Sequence, residues 1–490
     1  MTAATSEATP NATADERALA ASLAARRHKL RSIVGGAAGN VIEWYDFLAY
    51  SIFSIYFSKA FFPGGSQTAQ LLNAAAVAAI GYLVRPLGSW AIGALADRRG
   101  RRVALSLSVA MMSAGSLVIA LTPTYATIGV AAPAVLVCAR LLQGFSMGGE
   151  AGTSATYLSE MAPNGRRGFF VGFVQVTVVL GQLVALALMV VLQQFVLSPQ
   201  QLEQWGWRIP FAIGGVLAVF ALYLRRGIAE TEAFQRHQAL ARRADAAGAA
   251  NPARPAQSAH AADVPRDARH APPRAEPGGL LTLLVRHRKQ TLWTIGISIG
   301  GTVAFYTFTI YLQKYMVNTS GFSRSAATLI TTAALVVYML CQPLFGLLSD
   351  RVGRRPVLMI FGFGGTFLTV PLMHALGATH NPWTAFALNL AALGMLSGFS
   401  SIHWLVKSEL FPAGVRALGV GLPFAVVSSV MGGTTEFVAL RLKHAAHEAW
   451  FFYYVSACAA VSLITYLLMP ETRHRSVIDA EATHVQDARH

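Results

Sequence analysis

A charged side chain inside a stretch of about twenty apolar residues is the feature of this sequence best placed to do chemistry. Such a charge at bilayer depth costs about 3 kcal/mol on insertion scales, so each one needs a reason. Glu43 and Asp46 lie three residues apart, on one helical face with Tyr50. At the rise of an α-helix, Asp46 falls about 22 Å beyond Arg31 and Arg140 about 30 Å from Glu160, both in the outer half of a membrane. Arg85, about 18 Å from Asp97, and Glu150, about 15 Å from Glu160, come out central. These depths lead us to expect Asp46 as a proton site whose state Arg140 sets, with Glu43 and Glu150 in the same coupling group. Arg85 would offer a planar, bidentate fork to a substrate carboxylate. Tyr50, Tyr306, Tyr311, Gln175, Gln182 and Lys314 are further expected substrate contacts, with Gln175 and Gln182 spaced to share one face. Lys314, about 37 Å from Lys289, has snorkelling to the interface as its alternative role. A static buried network that only fixes helix packing is the competing reading of Asp46, Arg140, Arg85 and Glu150. Arg208 reads as a structural anchor, and Glu436 and Lys407, near helix ends, as solvated.

The elements that must position these residues follow from composition. With 54% hydrophobic and 13% charged residues, the chain is far from the balance of a soluble domain. Apolar runs of spanning length recur between short basic or Gly/Pro punctuation. They predict helices at 31–57, 71–96, 103–122, 131–158, 169–194 and 208–226, then at 289–313, 325–348, 356–377, 383–408, 417–440 and 449–469. The expected fold class is an all-α polytopic membrane protein with twelve transmembrane helices.

Arg98, Arg99, Arg101, Arg102, Arg166, Arg167, Arg351, Arg354 and Arg355 fall in loops on one face, which the positive-inside rule makes cytoplasmic. The opposite loops hold mainly Lys59, Arg324, Arg441 and Lys443, so both termini are expected inside. Residues 1–28, without an apolar core for a signal peptide, are expected as a disordered cytoplasmic lead. Residues 232–280, rich in Ala, Pro, Arg and His, are expected as a disordered cytoplasmic linker, and 473–490 as a tail. The net charge of +16 is then largely topological and no nucleic-acid partner is expected. Cys138, Cys341 and Cys458 have no metal-ligand spacing and read as small packing residues, with no metal site.

Three landmarks recur in order at a common offset. Gly93-x-x-x-Asp97-Arg98-x-Gly100-Arg101-Arg102 returns as Gly346-x-x-x-Asp350-Arg351-x-Gly353-Arg354-Arg355. Glu160-x-x-Pro163-x-Gly165-x-Arg167 returns as Glu409-x-x-Pro412-x-Gly414-x-Arg416, and Glu230-Thr231 as Glu471-Thr472. Together they argue for two parallel-repeat six-helix bundles, 29–231 and 281–472, with a solute path on the axis between them.

The paired Gly-x-x-x-Asp-Arg-x-Gly-Arg-Arg loops resemble the signature of the major facilitator superfamily. Gly39-Asn40-Val41-Ile42-Glu43-Trp44-Tyr45-Asp46-Phe47 and Gln143-Gly144-Phe145-Ser146-Met147-Gly148-Gly149-Glu150 narrow the likeness to its metabolite:proton symporter family. Stretches at 152–160, 205–212, 305–321 and 409–421 are most similar to its 2-oxoglutarate-transporting branch. The resemblance runs from about 31 to 470 and fails in the linker and both tails. It implies proton-coupled uptake of a small carboxylate, first the dicarboxylate 2-oxoglutarate, across a bacterial inner membrane by a monomer. No cofactor is expected besides the proton gradient. It also implies that Gly93, Asp97, Arg98, Gly100 and Arg101, with Gly346, Asp350, Arg351, Gly353 and Arg354, latch a cytoplasmic gate. Related sugar porters pair an acid after Tyr in helix one with an Arg-x-x-Gln/Leu-Gly arginine in helix four, and Tyr45-Asp46 and Arg140-Leu141-Leu142-Gln143-Gly144 occupy the matching places. Citrate, shikimate, or a zwitterion such as proline or betaine are the alternative solutes, although the short tail has no heptads of the kind expected in osmolyte-sensing relatives. A non-transporting receptor is the alternative from another class. An enzyme, a channel or an ATP-driven pump finds no motif here.

Overall fold

The computed structural model describes residues 40–54, 56–64, 67–225, 280–473 and 476–480. The expected lead, the linker as far as residue 279 and the end of the tail lie outside the described residues, as do the side chains of Arg101 and Glu150. Twelve spanning helices are laid out among the described residues. In the first half they are α1 (40–61, residue 55 excepted), α2 (Gln67–Arg99), α3 (Arg101–Leu121), α4 (Ala131–Met161), α5 (Arg167–Val191) and α6 (Arg208–Arg225). The second half contains α7 (Arg288–Asn318), α8 (Arg324–Val352), α9 (Arg354–Ala378), α10 (Pro382–Glu409), α11 (Arg416–Lys443) and α12 (Glu448–Leu468). Nine are unbroken and apolar enough to cross a membrane by themselves, and α9, bent by 56° between Phe367 and Thr369, makes a tenth. Pro371 explains that bend, because its ring displaces the carbonyl four residues back, at Phe367. No strand occurs among the described residues.

The helix pairs repeat across the halves. α2 packs on α4 as α8 does on α10, α3 on α4 as α9 on α10, and α3 on α6 as α9 on α12. Between the halves α5 lies against α8 and α2 against α11. The second glycine of each repeated loop shows why the motif needs it: Gly100 has φ 101° and Gly353 φ 107°, where an L-residue would be strained.

Small residues let α2 and α4 meet backbone to backbone. A Cβ on Gly88 would stand 1.8 Å from the Phe145 carbonyl oxygen, one on Gly144 2.0 Å from that of Gly81, and one on Gly148 2.0 Å from that of Arg85. This contact holds Arg85 against the wall made by α4. Arg208 caps the far end of α3, donating to the carbonyls of Ala120 and Thr122 at 2.7 Å each. The cysteines are less uniform than expected: Cys458 is buried, but Cys138 is exposed on the outer surface of α4.

α7 and α11 do not run as regular helices. Each widens to i→i+5 hydrogen bonding near its middle, at Thr307–Tyr311 and Ser428–Gly432. Such single wide turns re-aim the side chains around them and concentrate at functional sites. Both lie beside the space between the halves.

Candidate functional site: a cavity between the halves

A cavity of about 60 Å³ lies between the two halves. Its first-half wall comes from Asn40, Glu43 and Trp44 of α1, Arg85 of α2, Met147 of α4 and Gln175 of α5. The second half supplies Thr302 and Tyr306 of α7, Ser400, His403 and Trp404 of α10, and Phe424 and Ser428 of α11. Apolar walls with a few convergent polar groups are the usual design of a small-solute site.

Arg85 is the cation of this wall. It is 4% exposed, its guanidinium lies 4.0 Å from the Tyr82 ring and 4.6 Å from the Phe47 ring, and Nη2 donates to Met147 Sδ at 2.6 Å. Its Nε has no hydrogen-bond partner, and no carboxylate among the described residues pairs with it. A guanidinium clamped by aromatic faces and a thioether keeps its fork rigid while its Nε–H stays without a partner.

Behind Phe47, inside the first half, lies a second polar group. Arg140 stacks 4.2 Å over Tyr50 and 5.1 Å from Phe47, so the two arginines share one ring. The sequence pairs Arg140 with Asp46; in the structure the hydrogen bond of Arg140 goes to Gln143, which bonds Ser116 in turn. Arg140 Nη1 donates to Gln143 Oε1 at 2.9 Å, and Gln143 Nε2 donates to Ser116 Oγ at 2.9 Å. Asp46 is 0% exposed and neither of its oxygens accepts a hydrogen bond of normal geometry; Ser116 and Arg140 are the groups that act on it electrostatically. Its carboxylate is pressed against α6, where a Cβ on Gly214 would stand 1.7 Å from Oδ1. Tyr45 and Tyr50 fix α1 around it by donating to the carbonyls of Pro210 and Ala74.

The other expected contacts are divided. Glu43, Arg85, Gln175 and Tyr306 line the cavity, whereas Tyr50, Asp46 and Arg140 form the group behind it. Gln182 lies beyond the cavity and bridges the halves, its Nε2 donating to the Thr309 carbonyl at 3.1 Å. Ser429 donates to the Tyr82 carbonyl at 2.6 Å, and Tyr82 meets Tyr306 edge to face at 6.0 Å, in the same zone. Tyr311 lies within the second half, near Glu448, and Lys314 pairs with Glu436 in a half-exposed position. Glu150 has no described side chain.

At the opposite end of the cavity, the repeated loops join the halves. Asp350 accepts from the backbone N–H groups of Gly168 and Phe169 at 2.8 and 2.9 Å, at the start of α5. Asp97 accepts from those of Ala417 and Leu418 at 3.3 and 3.1 Å, at the start of α11. Each carboxylate thus caps a helix of the other half, where unpaired N–H groups and the helix dipole favour negative charge. Asp350 also pairs with Arg354 at 2.6 Å, and Arg416 crosses to Glu160 at 2.7 Å in a pair shut off from solvent. Gly346 allows the closest approach, since a Cβ there would stand 2.2 Å from the Gly168 carbonyl, and one on Gly93 would stand 3.3 Å from Leu418 Cα. Arg98 and Arg351 are exposed beside these joints.

One pair was missed. Lys407, expected in solvent, is 0% exposed, and its Nζ lies 3.0 Å from His403 Nδ1. Phe411-Pro412 made a helix end look near, but α10 resumes as a buried segment, His403–Glu409, beneath the cavity. The i, i+4 spacing of His403 and Lys407 was the available signal.

Comparison with known proteins agrees with this architecture. Residues 33–483 match the family described as "Sugar (and other) transporter". The alpha-ketoglutarate permease of Escherichia coli (strain K12) is 45% identical over 443 residues, 90% of this chain and 94% of that protein. A citrate-proton symporter of Salmonella typhi is 32% identical, covering 84% of this chain and 87% of its own length, and a glycine betaine/proline/ectoine/pipecolic acid transporter of Dickeya dadantii (strain 3937) is 30% identical over 91% and 84%. Among solved structures, a proton:xylose symporter bound to a bromodeoxyglucose superposes with a TM-score of 0.74 at 17% identity, covering 94% of this chain and 99% of that one. Twelve helices repeated as two bundles around a shared cavity, in the fold of that symporter, and the family match along nearly the whole chain place the protein in the sugar (and other) transporter family, whose members are membrane transporters and not enzymes.

Proposed function

We propose that this chain is a proton-coupled symporter that takes up a small carboxylate by alternating access, with 2-oxoglutarate as its first substrate. The observation that carries this reading is Arg85: a buried guanidinium on the cavity wall, rigidly held, with an unpaired Nε–H and no carboxylate of its own among the described residues. An anionic solute supplies the missing charge. The permease that shares 45% of its sequence is named for that dicarboxylate, and the citrate-proton symporter for a related acid. Asp46, insulated inside the first half near the hydrogen-bonded group of Arg140, Gln143 and Ser116, serves as the proton site. The loops rich in arginine are the cytoplasmic face, so the repeated loops are the inner gate and both termini lie inside the bacterial inner membrane.

Counterflow in proteoliposomes tests the transport itself, and a panel of mono-, di- and tricarboxylates with betaine ranks the solutes. Arg85→Lys keeps a charge but loses the fork and should weaken 2-oxoglutarate uptake at least tenfold. Near-normal affinity in that variant would remove Arg85 from the site. A second reading, a zwitterion such as betaine, has support from the rings of Trp44, Phe305, Trp404 and Phe424 around the cavity, because aromatic faces bind quaternary ammonium groups. Competition by betaine that exceeds competition by 2-oxoglutarate would select it.

A further inference from the structure

Lys407 is a buried amine with no carboxylate partner among the described residues. Its ammonium lies 4.4 Å from the Phe424 ring, 5.0 Å from that of Trp404, and 3.0 Å from His403 Nδ1, and no acid among the described residues pairs with it. Glu409, two residues on, is engaged instead by Arg354 and by Thr472. His403 is stacked flat on Phe399, with centroids 4.3 Å apart and planes 17° apart, so its ring cannot swing freely. It faces the cavity from the second half, whereas Arg85 faces it from the first.

The geometry points to the His403–Lys407 pair as the recognition element for the second carboxylate of a dicarboxylate, opposite Arg85. With a solute carboxylate in place Lys407 carries its proton, and an ammonium can only donate, so it then holds His403 Nδ1 as an acceptor and leaves the ring hydrogen on Nε2. Nε2–H is then a fixed donor to the solute, and the cation behind it stabilises the anion that accepts from it. An unpaired buried charge is otherwise a standing penalty, which a bound carboxylate relieves. A monocarboxylate has one charge for two cationic walls, so discrimination by charge number follows from the pair. The inference rests on the carboxylate reading above and extends it from one end of the solute to both.

The test compares 2-oxoglutarate with 2-oxopentanoate, which has the same carbon chain with a methyl group in place of the distal carboxylate. Their competition against labelled 2-oxoglutarate in counterflow gives a ratio of half-inhibition concentrations for each variant. The wild type should prefer the dicarboxylate by roughly ten- to a hundredfold, as expected for one charge-assisted hydrogen bond. Lys407→Met fills the same space without charge, and should bring the ratio close to one mainly by weakening the dicarboxylate. In detergent, without solute, its melting temperature should equal or exceed that of the wild type, because an uncompensated buried charge has been removed. His403→Gln, which keeps a side-chain donor, should give an intermediate ratio, and His403→Phe a ratio like that of Lys407→Met. Should one variant fail to fold, the ratio in the others decides. Arg85→Lys should weaken both solutes together. An unchanged ratio in folded Lys407→Met or His403→Phe overturns this inference and leaves the carboxylate site standing, whereas a wild type that binds neither acid overturns the carboxylate site itself.

Discussion

Asp46 is sealed off from solvent, touches no hydrogen-bond donor of normal geometry, and is pressed against the bare Cα of Gly214. A proton-coupling group placed in this way can act only if the empty carrier does not reorient with its proton lost. Asp46→Asn should therefore abolish accumulation driven by a proton gradient while leaving exchange of solute for solute near wild-type rates, since exchange moves no net proton. Accumulation at the wild-type level in Asp46→Asn would exclude it as the coupling site; loss of both activities in folded protein would make the group a packing network. The same contact makes Gly214→Ala informative. Its methyl would overlap the carboxylate, and overpacking of this kind costs about 1–3 kcal/mol. The melting temperature of Gly214→Ala should fall, and much of the loss should return in Asp46→Ser/Gly214→Ala, where the shorter side chain clears the clash.

Elements explain why some of this was readable and some was not. The spans were legible because hydropathy is a local property: the predicted starts of α3 to α10 lie within two residues of the observed ones. The repeated loops were legible because Gly100 and Gly353 serve a backbone angle that only glycine adopts easily. Asp46 and Arg140 could both be placed in the outer half, but the bonds from Arg140 to Gln143 and from Gln143 to Ser116 arise only when α3 and α4 pack. Lys407 escaped for the same reason, because a helix end in sequence can be a buried segment once α11 covers it. The α2–α4 contact is the element-scale counterpart of these long-range facts. Gly148→Ala would put a methyl 2.0 Å from the Arg85 carbonyl and push the two helices apart. Arg85 would move with its helix, so Gly148→Ala should raise the apparent KM for 2-oxoglutarate several-fold, besides costing about 1–3 kcal/mol of stability. A normal KM in this variant would show that Arg85 is positioned by Phe47 and Tyr82 alone.

The whole molecule is joined at one end by two matching caps: Asp350 of α8 on the start of α5, and Asp97 of α2 on the start of α11. They share no partner, lie on different seams, and both run between the halves. If the halves rock as rigid bodies, opening that end breaks both caps at once, so weakening one seam must loosen the other. Asp97→Asn removes the negative charge from the α11 start but keeps an acceptor, a loss of about 1–2 kcal/mol in the closed state. That changes the closed-to-open ratio by roughly five- to thirtyfold. The readout belongs on the other seam. Arg166 and Arg351 are exposed on either side of the α5–α8 contact, so spin labels at these two positions, in a background without the three native cysteines, report its width. Asp97→Asn should populate the longer distance at this remote seam. Asp350→Asn should do so as well, and it also removes the pairing with Arg354. The double variant should multiply the two single effects. A distance distribution at the α5–α8 seam that ignores Asp97→Asn would mean that the seams open independently, and that the caps hold individual helices in place without governing the movement of the halves.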